Sequence, residues 1–185
     1  MAELEKRNAE LARLLEARTA ELDEALARQS AAAEVLQVIN ASPGDLAPVF
    51  DAMLGKALML CAAACGQLAT FDGEAFEFVA VKGDPRWLDH YPRGRLPASR
   101  GLTWSRIVAG EPYVHLLDAR DTEAYRSGHE GARDTVITGG RTYLTIALRR
   151  EPALLGALTV YRQEVRAFSD QEIGLLRNFA AQAVI

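Results

Sequence analysis

Two alternating segments near the carboxyl terminus constrain the fold of this chain more than any other feature. Residues Arg141–Arg149 and Leu154–Arg162 alternate large apolar residues with small or polar ones, and the turn-prone stretch Arg150–Ala153 joins them. Alternation with a period of two is typical of β-strands, and two such segments separated by a short turn indicate an antiparallel hairpin. We therefore predict that this hairpin lies at the centre of an antiparallel sheet.

The two faces of the predicted hairpin have different compositions. One face carries large aliphatic residues and needs helices packed against it; these residues are Leu144, Ile146, Leu148, Leu158 and Val160. The other face mixes small residues, hydroxyls and phenols, namely Tyr143, Thr145, Ala147, Ala157, Thr159 and Tyr161. Such a composition suits the floor of a small-molecule cavity. It equally suits a sheet face that is partly solvated, and both interpretations stay open.

Length and charge exclude several classes of protein. A chain of 185 residues with 49% hydrophobic content fits one globular domain with an appendage. The net charge of −4 provides no basic patch, so nucleic acid is not a predicted partner. No apolar run approaches the roughly 18 residues of a membrane span. The amino terminus carries charged helix formers instead of a signal peptide, so we expect a cytoplasmic protein.

Residues 1–40 are rich in Ala, Leu, Glu and Arg and predict a long signalling helix. In a heptad that places Asn8 at an a position, leucines fill many of the remaining seam positions, whereas Arg18 and Gln29 weaken it. A polar Asn in the seam favours a parallel pair, so we predict a homodimer through this coiled coil. An amphipathic helix lying on its own domain is the alternative.

Residues 41–185 predict one sensor domain of the α+β class. Asp45 is expected to cap a helix that includes Cys61 and Cys65 as reduced, buried thiols and ends at Gly66. Further predicted elements are strands at 67–71, 76–82 and 113–117, a short helix at 102–109, the central hairpin, and a closing helix that begins with the capping box Ser169-Asp-Gln-Glu172. No stop signal follows that helix, so we expect it to continue beyond Ile185 into a downstream output domain.

The candidate binding residues lie on the mixed face and on the loops predicted above it. Because the aliphatic face is needed for helix packing, only the mixed face remains for a ligand. The predicted ligand-binding residues are Trp87, His90, Tyr91, Trp104, Tyr125, Tyr143, Thr145, Thr159 and Tyr161. Arg93 or Arg141 is the predicted charge partner for an anionic ligand. Packing of a long loop is the alternative role of the loop residues.

Several blocks of sequence resemble the GAF domains of bacterial multi-domain signalling proteins. The matching blocks are Glu34-Val-Leu-Gln-Val-Ile39 with Ser42-Pro-Gly-Asp-Leu46, Gly140-Arg-Thr142, Leu155-Gly-Ala-Leu-Thr-Val-Tyr-Arg-Gln163, Phe168-Ser-Asp170 and Phe179-Ala-Ala-Gln-Ala183. The resemblance implies an antiparallel sheet of five or six strands with helices on one face. It also implies a non-enzymatic sensory and dimerising domain of a histidine kinase or nucleotide cyclase. Such a domain binds a small molecule between sheet and loops and relays its state through the flanking helices.

Two alternatives to a ligand-binding sensor remain at this stage. One is a purely structural dimerisation relay whose pocket is filled by its own side chains. The other is a methionine sulfoxide reductase of the same fold, which needs pocket cysteines, whereas both cysteines here fall in the predicted helix. The three histidines lack the spacing of a triad or a metal site, so no catalytic residue and no metal is predicted. The sequence specifies no particular cofactor.

Overall fold

A computed structural model describes residues 46–63, 65–88, 94–133 and 139–183, excluding the side chains of Arg86, Trp87, Gln182 and Ala183. Four isolated positions near the amino terminus are also described, and all four are helical: Arg7, Arg13, Arg18 and Thr19. The predicted coiled coil of residues 1–40 and its dimer seam otherwise lie outside the described residues.

The described strands form one antiparallel sheet with the order β3-β2-β1-β6-β5-β4. Their bounds are β1 Cys65–Phe71, β2 Ala75–Lys82, β3 Leu96–Pro97, β4 Tyr113–Leu116, β5 Thr142–Arg150 and β6 Ala153–Arg162. The predicted hairpin is β5 and β6, and β6 lies between β1 and β5. This confirms the α+β class and the central position of the hairpin. Direct pairing of Tyr143 with Tyr161 and of Thr145 with Thr159 places these four residues on one face.

Two helices of fourteen residues each cover the aliphatic face of the sheet, which we call the helix face. They are α1, Ala47–Leu60, and α5, Asp170–Ala183. Leu54 of α1 and Leu176 of α5 are fully buried, in one cluster with all five predicted core residues of the hairpin. The prediction of helices on this face is therefore confirmed.

The predicted bounds of α1 are wrong at its carboxyl end. The helix ends at Leu60, Cys61 is its C-cap, and Ala62 adopts a positive φ of 43°. Cys65 is the first residue of β1, so the two cysteines do not share a helix. Gly66 also lies in β1, where an added Cβ would stand 2.7 Å from the carbonyl oxygen of Thr159 and 3.0 Å from Leu58. This glycine therefore permits close packing of helix and strand and does not stop the helix.

The two helices begin differently. The N-cap of α1 is Leu46, whose side chain makes no capping hydrogen bond, and the predicted cap Asp45 lies outside the described residues. The capping box of α5 is confirmed, because the Ser169 N–H donates to Glu172 Oε2 at 2.8 Å and the Glu172 N–H donates to Ser169 Oγ at 3.2 Å.

Candidate functional site

The mixed face of the sheet, which we call the loop face, is covered by a second layer of short elements. This covering layer comprises residues 96–108, which begin with the short edge strand β3, and residues 117–133, with 3₁₀ turns at Ala98–Arg100 and Ala119–Asp121. Its short helices include α3, Trp104–Val108, and α4, Glu123–Arg126, and residues 130–133 are also helical. Before this layer, Pro85–Leu88 forms α2. Because this layer lies on the sheet, Thr145, Thr159 and Tyr161 are no more than 2% exposed. The loop face is therefore an interior surface.

An aromatic cluster fills one end of the loop face. Trp104 is 2% exposed and stacks on Phe76, with 4.4 Å between ring centroids. Ala157 lies in the same cluster. An added Cβ on Gly101 would stand 2.6 Å from the indole of Trp104, so the backbone of the covering layer lies directly against that ring. The space beside Ala157 is thus occupied by Trp104.

A chain of three buried hydroxyls lies in the middle of the loop face. Thr145 Oγ1 is 2.8 Å from Thr103 Oγ1 and 3.0 Å from Thr159 Oγ1. All three side chains are at most 4% exposed. Thr103 belongs to the covering layer, whereas the other two belong to β5 and β6. The chain of hydrogen bonds therefore fastens the covering layer to the central hairpin.

A pair of tyrosines occupies the other end of the loop face. The rings of Tyr143 and Tyr161 stack with their centroids 5.1 Å apart. Cys65 is buried beside them, and Leu102 of the covering layer packs on the same cluster. Burial is the main cause that raises the pKa of the Cys65 thiol. This tyrosine cluster thus joins the covering layer to the carboxyl end of β6.

An ion pair stands at the edge of the tyrosine cluster, where β4 ends and β5 begins. Arg141 Nε donates to Asp118 Oδ1 at 2.9 Å, and Arg141 Nη2 contacts Asp118 Oδ2. The hydrogen bonds from Arg141 are the first cause that lowers the pKa of Asp118. Arg141, one of the two predicted charge partners for a ligand, is therefore paired within the protein.

An open cavity of about 490 Å³ lies in the covering layer. Its walls combine apolar and polar side chains: Leu96, Pro97, Ser99, Arg100, His129 and Glu130. Arg100 Nη1 donates to Glu130 Oε2 at 2.6 Å across the wall, and this contact is the first cause that lowers the pKa of Glu130. His129 Nδ1 accepts the Gly131 N–H at 3.1 Å, so in the neutral ring Nε2 is the N–H donor.

The structure brings together five of the predicted site residues. Trp104, Tyr143, Thr145, Thr159 and Tyr161 all lie at the interface between the loop face and the covering layer. Tyr125 lies in α4 and is half-buried. The side chain of Trp87 is not described, and His90, Tyr91 and the second predicted charge partner, Arg93, lie outside the described residues.

Sequence reasoning did not predict the cavity. Its walls come from two segments about thirty residues apart, which meet where the helical residues 130–133 pack on the backbone of residues 100–102. The one signal is Gly131, where an added Cβ would stand 2.4 Å from the carbonyl oxygen of Arg100.

The described residues offer neither a metal site nor a membrane span. Among these residues, no group of three or more His, Cys, Asp or Glu side chains is arranged to hold a metal ion. Within the same ranges, no helix combines the length and the apolar character needed to cross a membrane.

Comparison with solved structures identifies the fold. The GAF domain of an Acinetobacter phosphoenolpyruvate-protein phosphotransferase superposes with a TM-score of 0.64 and 19% identity, covering 85% of this chain and 90% of that one. A domain assigned to a two-component sensor histidine kinase of Sinorhizobium meliloti 1021 gives 0.59 and 19%, with coverage of 76% and 89%. The phycoerythrobilin-bound GAF domain of a cyanobacterial phytochrome gives 0.64 and 12%, with coverage of 85% and 92%.

The chain therefore has the fold of a GAF domain, as the sequence resemblance implied. Solved structures with this fold include domains of signalling proteins. No family model matches the sequence, and no curated protein matches it.

Proposed function

We propose that this chain is a non-enzymatic sensory domain that binds a small molecule in the covering layer and relays its state through the flanking helices. The observation that carries the proposal is the 490 Å³ cavity in that layer. The segment that lines it, residues 96–100, continues directly into Thr103 and Trp104 on the loop face. A ligand that moved this segment would therefore move the residues that contact the central hairpin.

The cavity favours a ligand with an apolar body and an anionic group. Leu96 and Pro97 supply an apolar wall, and Arg100 and His129 supply donors. Arg100 now donates to Glu130, whose side chain is 67% exposed. An exposed ion pair contributes little to stability, so a ligand carboxylate or phosphate exchanges with Glu130 at small cost.

A pocket-filling variant tests this proposal. Thermal unfolding of the purified chain is followed with a panel of metabolites and nucleotides, because a ligand of the native state raises the Tm by mass action. Ser99→Trp should abolish the shift produced by any hit, since Ser99 lines the cavity and is exposed. Ser105→Trp, the same change at an exposed position of α3 outside the lining, should leave it intact. A hit whose shift survives Ser99→Trp would contradict the proposed location.

The second candidate function is a structural relay without a ligand. It is favoured by the dense packing of the loop face, where Thr103 and Trp104 occupy the space above the hairpin. In that case no member of the panel raises the Tm. The reductase alternative is disfavoured, because Cys61 and Cys65 are at most 4% exposed and burial raises both thiol pKa values, that of Cys61 to about 12.

We also propose that the protein lies in the cytoplasm, upstream of an output domain, and forms a dimer. The dimer forms through residues 1–40. Its support is the heptad pattern around Asn8. Light scattering should give the mass of a dimer for the full chain, and deletion of residues 1–30 should weaken the association. A monomeric full chain would remove the support for a relay through this helix.

A further inference from the structure

The connection between β6 and α5, residues 163–169, is solvent-exposed but firmly fastened. Of its side chains only that of Phe168 is buried. Its backbone groups nevertheless form hydrogen bonds with side chains of the sheet and of α5. The Arg166 N–H donates to Thr142 Oγ1 at 3.1 Å, the Phe168 N–H to His115 Nε2 at 3.3 Å, and the Ser169 N–H to Glu172 Oε2 at 2.8 Å. The carbonyl oxygens of Arg166 and Ala167 accept hydrogen bonds from Arg162. The connection is therefore bonded both to the strand ends and to the first turn of α5.

Arg162 is the centre of these contacts. Its side chain is 1% exposed, and its guanidinium stands 4.0 Å from the centroid of the Phe168 ring. Nη1 donates to Ala167 O at 2.8 Å, while Nη2 donates to Cys61 O at 2.7 Å and to Glu172 Oε1 at 2.5 Å. One side chain therefore holds the carboxyl end of α1, the connection and the first turn of α5 in fixed relation.

The residue before Arg162 faces the opposite side of the sheet. Tyr161 stacks on Tyr143 in the tyrosine cluster, where Leu102 of the covering layer also packs. Leu102 lies two residues beyond Arg100, which lines the cavity. Consecutive strand residues point to opposite faces, so these two neighbours contact the loop face and the helix face respectively. Because they share a peptide bond, a displacement of the Tyr161 backbone also displaces Arg162.

We propose that Arg162 is the positioning residue that couples the loop face to α5, so that a change in the covering layer alters how the first turn of α5 is held. The route runs from the cavity through Leu102, Tyr161 and Arg162 to Glu172. This inference rests on the proposed function for its trigger, the ligand, but the coupling itself can be tested without one.

A double-mutant experiment on the full chain tests the coupling. Backbone amide signals are recorded by ¹H–¹⁵N NMR for the wild type, Tyr161→Phe, Arg162→Met and the double variant. Tyr161→Phe removes only a hydroxyl on the loop face and should shift the signals of residues 169–173. The internal reference is the first turn of α1, Ala47–Phe50, at the opposite end of that helix from the contact with Arg162. In the Arg162→Met background, the shifts at 169–173 should fall to the size seen in that reference.

Two further variants control for folding and for charge. Arg126→Met makes the same change at an exposed ion pair with Glu123 and should leave the response to Tyr161→Phe intact. Glu172→Gln retains a capping side chain but removes the ion pair, so it should reduce the shifts that Tyr161→Phe causes at residues 169–173. This variant provides the test if Arg162→Met does not fold. Shifts at 169–173 that persist undiminished in both Arg162→Met and Glu172→Gln would overturn the coupling, as would a Tyr161→Phe spectrum without shifts there. Neither outcome bears on the cavity, which the Ser99→Trp comparison tests separately.

Discussion

Replacement of Thr145 by valine should lower the free energy of unfolding far more than the loss of one oxygen atom suggests. Thr145 is fully buried and is the middle member of the hydroxyl chain with Thr103 and Thr159. Valine has nearly the same shape, so the change creates no cavity, but it leaves two buried hydroxyls without their mutual partner. A buried polar group that loses its partner costs about 1 to 3 kcal/mol. With two such groups, we expect Thr145→Val to lower the free energy of unfolding by about 2 to 6 kcal/mol.

Urea unfolding followed by tryptophan fluorescence, to which the buried Trp104 contributes, measures this loss. With a slope of about 2 kcal/mol per molar, the midpoint should fall by about 1 to 3 M. The matched control is Thr70→Val, because the Thr70 hydroxyl makes only a long, exposed contact with Glu77 O at 3.5 Å. Its effect should stay within about 0.5 kcal/mol.

The triple variant Thr103→Val, Thr145→Val, Thr159→Val distinguishes orphaned polar groups from poor packing. Replacing all partners of a buried network by apolar groups of the same shape can be nearly neutral, so the triple variant should be more stable than Thr145→Val alone. A single change that costs less than about 0.5 kcal/mol, or three single losses that simply add in the triple variant, would contradict a role for orphaned hydroxyls.

Three further outcomes follow from the packing and the pKa shifts. Gly156→Ala should destabilise the protein by about 2 kcal/mol or more in urea unfolding, since the added Cβ would stand 2.2 Å from Ala69 O. Gly174→Ala, in α5, should stabilise it by about 1 kcal/mol, because the added Cβ meets no atom within 4 Å. Equal effects would contradict the strand geometry. The thiols of Cys61 and Cys65 should react with a thiol reagent slowly in the native state and at the ordinary rate in urea; fast native labelling would contradict their burial. Burial, and then the charge of Arg162, keeps the pKa of His115 below its ordinary 6.5. Its contribution to stability is therefore complete above pH 6.5 and is lost as the pH falls through the lower folded pKa, so His115→Gln should flatten that part of a stability profile.

The sequence was sufficient to predict the central hairpin and its two faces. Alternation from Thr142 to Arg162 fixes which side chains share a face, and the five aliphatic residues needed helices above them. The capping box at Ser169 was equally local, because both partners lie within one helical turn. Patterns of this kind predict structure because the residues that interact are close together in the sequence.

The remaining features depend on contacts between distant residues. Gly66 reads as a helix stop in the sequence, but its environment is set by Thr159 across the sheet. The filling of the loop face by Trp104 depends on Phe76, and the cavity depends on the meeting of Arg100 with Glu130. Neither contact produces a periodic pattern in the sequence, because the residues that meet lie far apart along the chain.

We propose above all that a small molecule binds in the covering layer of this GAF-fold domain. The most direct test is an experimental structure of the full chain with the tightest hit from the metabolite and nucleotide panel. The ligand should lie in the cavity, with its apolar part against Leu96 and Pro97 and its anionic group within hydrogen-bond distance of Arg100 or His129. A ligand bound on the helix face, between α1 and α5, would contradict it.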